Sequence, residues 1–135
     1  MAAGLLANHL PESLRTTIHV HSAGTHALQD HPAQDHAIET MARIGIDISD
    51  HRARQLTAEM VRKAALILTM ETAHLWYVQA LAQVPSEKLR LWLSFDLQAG
   101  IRQVADPYGG PLAAYQTCLE TLSPAIEAIV QTLQS

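Results

Sequence analysis

The residues best placed for proton chemistry lie in Asp106-Pro107-Tyr108-Gly109-Gly110-Pro111. An aspartate held in a loop and partly desolvated can pass a proton to a departing group. The same segment also has the composition of a plain turn, because proline fixes its own φ and glycine tolerates positive φ. The only thiol, Cys118, falls in an apolar helical pattern beside Leu119 and one turn from Leu122, the setting of a buried, inert sulfur. A phosphate-binding nucleophilic loop built on it would need glycine-like backbone freedom and an arginine six residues on, but position 124 is proline.

Two further groups carry weaker signals. Arg52 and Arg54, in the polar stretch His51-Arg52-Ala53-Arg54-Gln55-Leu56-Thr57, can meet an anion, although surface arginines are more often solvated or paired. His19 and His21 share one face of an extended segment without a carboxylate or thiolate at ligand spacing. The eight histidines therefore give no metal site, and no cofactor is expected.

These residues need a frame to hold them. Residues 2–10 read as a helix with Ala2, Leu6 and Leu10 on one face and Pro11 closing it. Thr17 to Ser22 alternates, Ile18 and Val20 against His19 and His21, which predicts an edge strand. Asp35 can cap a helix in which Ile38, Met41 and Ala42 share a face, and Gly45 stands where a left-handed residue would end it. Thr57 can cap a short helix after the arginines.

The apolar runs Ala64 to Met70 and Leu89 to Phe95 predict strands buried on both faces of a parallel sheet. Between them Leu75, Val78 and Ala82 line a helix. Leu112, Tyr115, Leu119 and Leu122 begin another, which Ser123-Pro124 kinks or recaps before Ile126, Ile129, Val130 and Leu133 continue it. Alternating helices and strands imply an α/β fold with an open, mostly parallel sheet and helices on both faces. Ligands bind at the carboxyl edge of such sheets, where Asp106 falls. Such a sheet normally opens with a strand, whereas these residues open directly in a helix.

At 135 residues, with 48% apolar residues and one cysteine, residues 1–135 suit a single domain with its own core and no disulfide. Nine basic against thirteen acidic residues, with no basic run, point away from nucleic acid and anionic membrane surfaces as partners. No window approaches the length of a membrane span, no leader pattern opens the chain, and the cysteine usage suggests a reducing compartment, so a cytoplasmic location is expected.

Five stretches together resemble the low-molecular-weight protein tyrosine phosphatases. They are Met1-Ala2-Ala3-Gly4-Leu5-Leu6, Ser22-Ala23-Gly24-Thr25, Gly45-Ile46-Asp47-Ile48-Ser49-Asp50 running into His51 to Thr57, Leu66-Ile67-Leu68-Thr69-Met70-Glu71, and Asp106-Pro107-Tyr108. They occur in the family's order and at similar spacing over essentially the whole chain. The resemblance implies a flavodoxin-like sheet whose first, central strand leads into a Cys-x5-Arg-Ser loop. In that family the loop cradles the phosphate, and its thiolate attacks phosphorus to give a phosphocysteine.

By the same resemblance Asp106 is the acid that protonates the departing phenolate, and Tyr108 lines the pocket for a flat aromatic group. Ser22 and His51 match residues that orient the phosphate loop. Many members carry a second tyrosine where this chain has Gly109, which thins one wall. The family's Cys-x5-Arg-Ser-Pro precedes the segment that matches Met1 to Gly4, so the nucleophile, the arginine and the first strand are absent from residues 1–135.

The expectation is therefore an N-terminally truncated phosphatase domain, inactive as it stands toward a phosphotyrosine protein or small aryl phosphate. Its Thr17 to Ser22 strand would be short of a neighbour and open to swapping or re-pairing between copies. A mis-assigned start and a true loss, the second leaving a non-catalytic phosphatase-like binding or regulatory domain, are the two readings. A thioredoxin-coupled arsenate reductase would need further redox cysteines, which this chain lacks.

Overall fold

The computed structural model describes residues 1–100 and 103–135. Helix α1 spans Ala2–His9 and stops where Leu10, extended at ψ 132°, meets Pro11. The ring of a proline drives the preceding residue out of the helical region. A short turn of helix that the sequence pattern does not signal, α2, covers Glu12–Arg15.

Thr17 to Ser22 keeps the expected alternation, with Ile18 and Val20 packed on the core and His19 and His21 exposed. It does not, however, form a strand. A strand is defined by its ladder, and the first cross-segment pairing comes only at Gly24, whose N–H donates to the Arg54 carbonyl at 2.8 Å.

Helix α3 spans Asp35–Ala42. The extended residue before it is Gln34, so Asp35 is the first helical residue and makes no capping bond, a correction to the expected cap. Its charge still suits the positive end of the helix dipole. At the other end Gly45, at φ +81°, lets the Ile46 N–H reach back to the Met41 carbonyl at 3.0 Å. Helix α4, Ala58–Lys63, is capped as expected, with the Thr57 hydroxyl accepting from the Met60 N–H.

The two predicted strands are present but short. β1 (Ile67–Thr69) and β2 (Leu89–Leu91) pair in parallel, Ile67 opposite Leu89 and Thr69 opposite Leu91. They are joined through α5, Thr72–Leu81. After Leu91 the expected strand becomes a 3-10 turn, Trp92–Phe95, in which the Ser94 hydroxyl donates to the Leu91 carbonyl at 2.6 Å. That local bond draws the backbone away from the ladder.

The period-two alternation of β1 sorts its side chains to two faces. Ile67 joins Leu89, Val61 and Val78 under α4 and α5, while Leu68 and Met70 join the larger core. Helices thus cover both faces of a small parallel sheet. The larger core includes Leu5 of α1, Met41 of α3, Trp92, and Leu122 and Ile129 of the last two helices, all at most 2% exposed. Each such side chain contributes about 1.5–3 kcal/mol.

α6 (Leu112–Leu122) and α7 (Ile126–Gln134) are separated by a 3-10 turn, Ser123–Ala125, at Pro124, as the sequence suggests. The Trp92 indole N–H donates to the Leu122 carbonyl at 2.9 Å and so satisfies a helix-end acceptor inside the core.

Candidate active site

The Asp106 loop is tied to the carboxyl end of β1. The Val104 N–H donates to the Met70 carbonyl at 2.8 Å, and the Gln103 side-chain oxygen accepts from the Thr72 N–H at 2.8 Å, at the opening of α5. Two turn bonds then fix the tip. Asp106 Oδ1 accepts from the Tyr108 N–H at 3.0 Å, and the Gly110 N–H donates to the Pro107 carbonyl at 2.9 Å.

Gly109 has φ +76°, a conformation that favours glycine. Gly110 lies so close to the loop and to α6 that an added Cβ would sit 2.9 Å from the Pro107 oxygen and 3.2 Å from the Ala114 methyl. Asp106 is exposed, with one carboxylate oxygen engaged and the other uncommitted to the turn. Tyr108 points its ring outward, 63% exposed.

A shallow groove of about 320 Å³ runs between this loop and α6, lined by Asp106, Pro107, Ala114, Thr117 and Cys118 among others. Cys118 is half-buried within it. Burial pushes its thiol above the usual range, the Met1 ammonium opposes that, and Asp106 adds to it. A thiol held in its protonated form is a poor nucleophile.

The charge of the Met1 amino group acts on both His51 and Cys118. Partial burial lowers the His51 pKa from the ordinary histidine range, reinforced by the Met1 ammonium, Arg54 and Arg52. The Arg52 guanidinium is spent on backbone, donating to the carbonyls of His51 at 2.8 Å and Ser49 at 3.1 Å.

Ser22 is half-buried two residues before Gly24, where its segment meets the one carrying His51. Gln55 joins the two. Its backbone N–H takes the Gln29 side-chain oxygen, and its amide bonds the Thr25 carbonyl, the Ala27 N–H and the Tyr77 hydroxyl. No hydrogen bond links Ser22, His51 and Asp106 among the described residues.

Sequence reasoning missed Gln55 and Gln103. Both act through a side-chain amide on backbone far away in the chain, and local composition carries no signal for that.

A sequence profile described as low molecular weight phosphotyrosine protein phosphatase matches residues 1–135. The chain belongs to that family. It is 36% identical over 135 residues to the probable low molecular weight protein-tyrosine-phosphatase EpsP of Ralstonia nicotianae, spanning all of this chain and 87% of that protein. It is 38% identical over 91 residues to the low molecular weight protein-tyrosine-phosphatase Etp of Escherichia coli, covering 67% of this chain and 60% of that one.

Among solved structures, the low molecular weight protein tyrosine phosphatase from T. tengcongensis superposes with a TM-score of 0.83 at 32% identity. It covers 97% of this chain and 88% of that one. The two-stranded core described above is thus part of the α/β phosphatase fold. Within residues 1–135 there is no Cys-x5-Arg sequence, because Cys118 is the only cysteine. No described helix is long and apolar enough to cross a membrane.

Proposed function

We propose that residues 1–135 supply the acid and pocket-wall half of a phosphatase acting on phosphotyrosine or aryl phosphate monoesters, and are catalytically silent alone. The observation that carries this is the state of Asp106: exposed at the carboxyl edge of the sheet, one oxygen locked by the Tyr108 N–H and the other without a hydrogen bond among the described residues. A carboxyl group held in one plane can direct its proton at a leaving oxygen.

In the reaction the family performs, a thiolate attacks phosphorus, the P–O bond to the phenol breaks, and the departing oxygen takes a proton from the acid. Water then hydrolyses the phosphocysteine. Asp106 takes the acid role in this reading. Tyr108, exposed beside it, offers an aromatic face to the substrate ring. Ser22 and His51 steady the phosphate loop, in keeping with the place of His51 near the Met1 amino group. The working location is the cytoplasm, and the single domain needs no cofactor.

Hydrolysis of para-nitrophenyl phosphate tests the reading. Residues 1–135 should show background rates, because phosphate monoesters are among the slowest reference reactions and an acid alone gives only about 10²–10⁴-fold. Placing an apolar strand and Cys-x5-Arg-Ser-Pro before Met1 should confer activity that Asp106→Ala lowers by about 10²–10⁴-fold. Turnover by residues 1–135 alone, or an indifferent Asp106→Ala, overturns it.

A further inference from the structure

The NH2 group of the half-buried Gln55 side chain donates to the Thr25 carbonyl at 2.8 Å and to the Tyr77 hydroxyl at 3.0 Å, and its oxygen accepts from the Ala27 N–H at 3.0 Å. A carbonyl and an N–H as partners fix which end of the amide faces which, so neither leucine nor an ionised glutamate can meet both. The loop that Gln55 holds closes on the same segment at both ends. The Gly24 N–H donates to the Arg54 carbonyl at 2.8 Å, and the Asp30 N–H donates to the Ala53 carbonyl at 2.8 Å. Between those ends the Gln55 amide satisfies backbone groups that the ladder does not reach.

Ser22 stands just before this loop and has no backbone mooring of its own. His19 through Ala23 lend no backbone N–H to any described residue. The first fixed points after Ser22 are Gly24, bonded to Arg54 and Leu56, and Thr25, bonded to the Gln55 amide. The Tyr77 hydroxyl carries the same clamp onto α5. That helix also receives the Asp106 loop, whose Gln103 oxygen accepts from the Thr72 N–H at 2.8 Å. Thr72 and Tyr77 stand about 7.5 Å apart along the helix axis, at 1.5 Å per residue.

We propose that Gln55 is a positioning residue: its amide locks the Thr25 to Gln29 loop, ties it to the helix that also moors the acid loop, and so sets the place of Ser22. This rests on the role proposed for Ser22 in steadying the phosphate loop. In this role Gln55 touches no substrate. It acts through the Thr25 carbonyl, three residues from the hydroxyl it places.

Amide hydrogen exchange and a double-mutant cycle test it. In residues 1–135, Gln55→Leu should speed exchange of the Ala27 amide about fivefold, the size of one lost hydrogen bond, while the Thr72 amide holds its rate. In the chain extended with the apolar strand and Cys-x5-Arg-Ser-Pro, Gln55→Leu and Ser22→Ala should each lower kcat on para-nitrophenyl phosphate roughly tenfold, with KM little changed. Because one acts through the other, the double variant should be no slower than the slower single variant. Effects that multiply, an unchanged Ala27 rate, or an acceleration shared by Thr72 overturns the proposal.

Should Gln55→Leu fail to fold, Gln55→Glu takes its place. It keeps the shape and the oxygen that faces Ala27 but turns an acceptor toward the Thr25 carbonyl, and it must show the same non-additivity with Ser22→Ala. If Ser22→Ala alone leaves kcat unchanged, the role of Ser22 fails and takes the positioning role with it. If Ser22→Ala lowers kcat and the Gln55 variants do not, the positioning role alone is refuted.

Discussion

Two segments carry the candidate residues Asp106 and Ser22, and they are built in opposite ways. The Asp106 loop is closed by bonds within itself and moored to β1 and α5 at Val104 and Gln103. The Thr17 to Ser22 segment presses Ile18 and Val20 on the core, yet His19 through Ala23 lend no backbone N–H to any described residue. Within β1, the Thr69 hydroxyl is buried with no partner among the described residues. One half of the site is assembled by short-range chemistry. The other half has its side-chain pattern in place and its backbone ladder unmade, which shows that hydrophobic alternation and strand pairing are separable requirements.

The contrast can be broken most forcefully at Gly110. Gly110→Ala forces a methyl against the Pro107 oxygen and should cost about 1–3 kcal/mol in urea unfolding while loosening the Asp106 turn. A neutral result would mean that the loop is less firmly seated than its bonds imply. In β1, where that loop is moored, Thr69→Val deletes the partnerless hydroxyl at nearly constant shape and should stabilise the domain by about 1 kcal/mol. A loss of stability there would show that the hydroxyl already has a role.

The smallest effect concerns His51. Its folded pKa lies below the unfolded value because of partial burial and the Met1, Arg54 and Arg52 charges, so the unfolded chain binds more protons. Its share of stability is therefore present above the ordinary histidine pKa of about 6.5 and is lost as pH falls below it. Thermal midpoints measured between neutral and mildly acidic pH should fall less steeply in His51→Gln than in the parent. Equal slopes would place the titration elsewhere.

Legibility in the sequence followed the range of the forces involved. The Thr57 cap, the left-handed Gly45 and the break at Pro124 rest on contacts within a few residues and were readable. The loop of Asp106 was readable for the same reason, since Pro107, Gly109 and Gly110 specify a turn. What failed depended on distant partners. Thr17 to Ser22 has strand composition without a ladder, and Trp92 to Phe95 leaves the sheet because Ser94 bonds the Leu91 carbonyl and Trp92 is drawn to Leu122.

The bond from the Trp92 indole to the Leu122 carbonyl also gives the molecule an internal optical gauge. Of its two tryptophans, Trp92 is 2% exposed and Trp76 is 69% exposed, so their emission separates into a blue, quencher-resistant component and a red, quencher-accessible one. The blue component reports the junction of α6 and α7 with the sheet. A collapsed chain that had kept its helices but lost this junction would betray itself by merging the two colours into one.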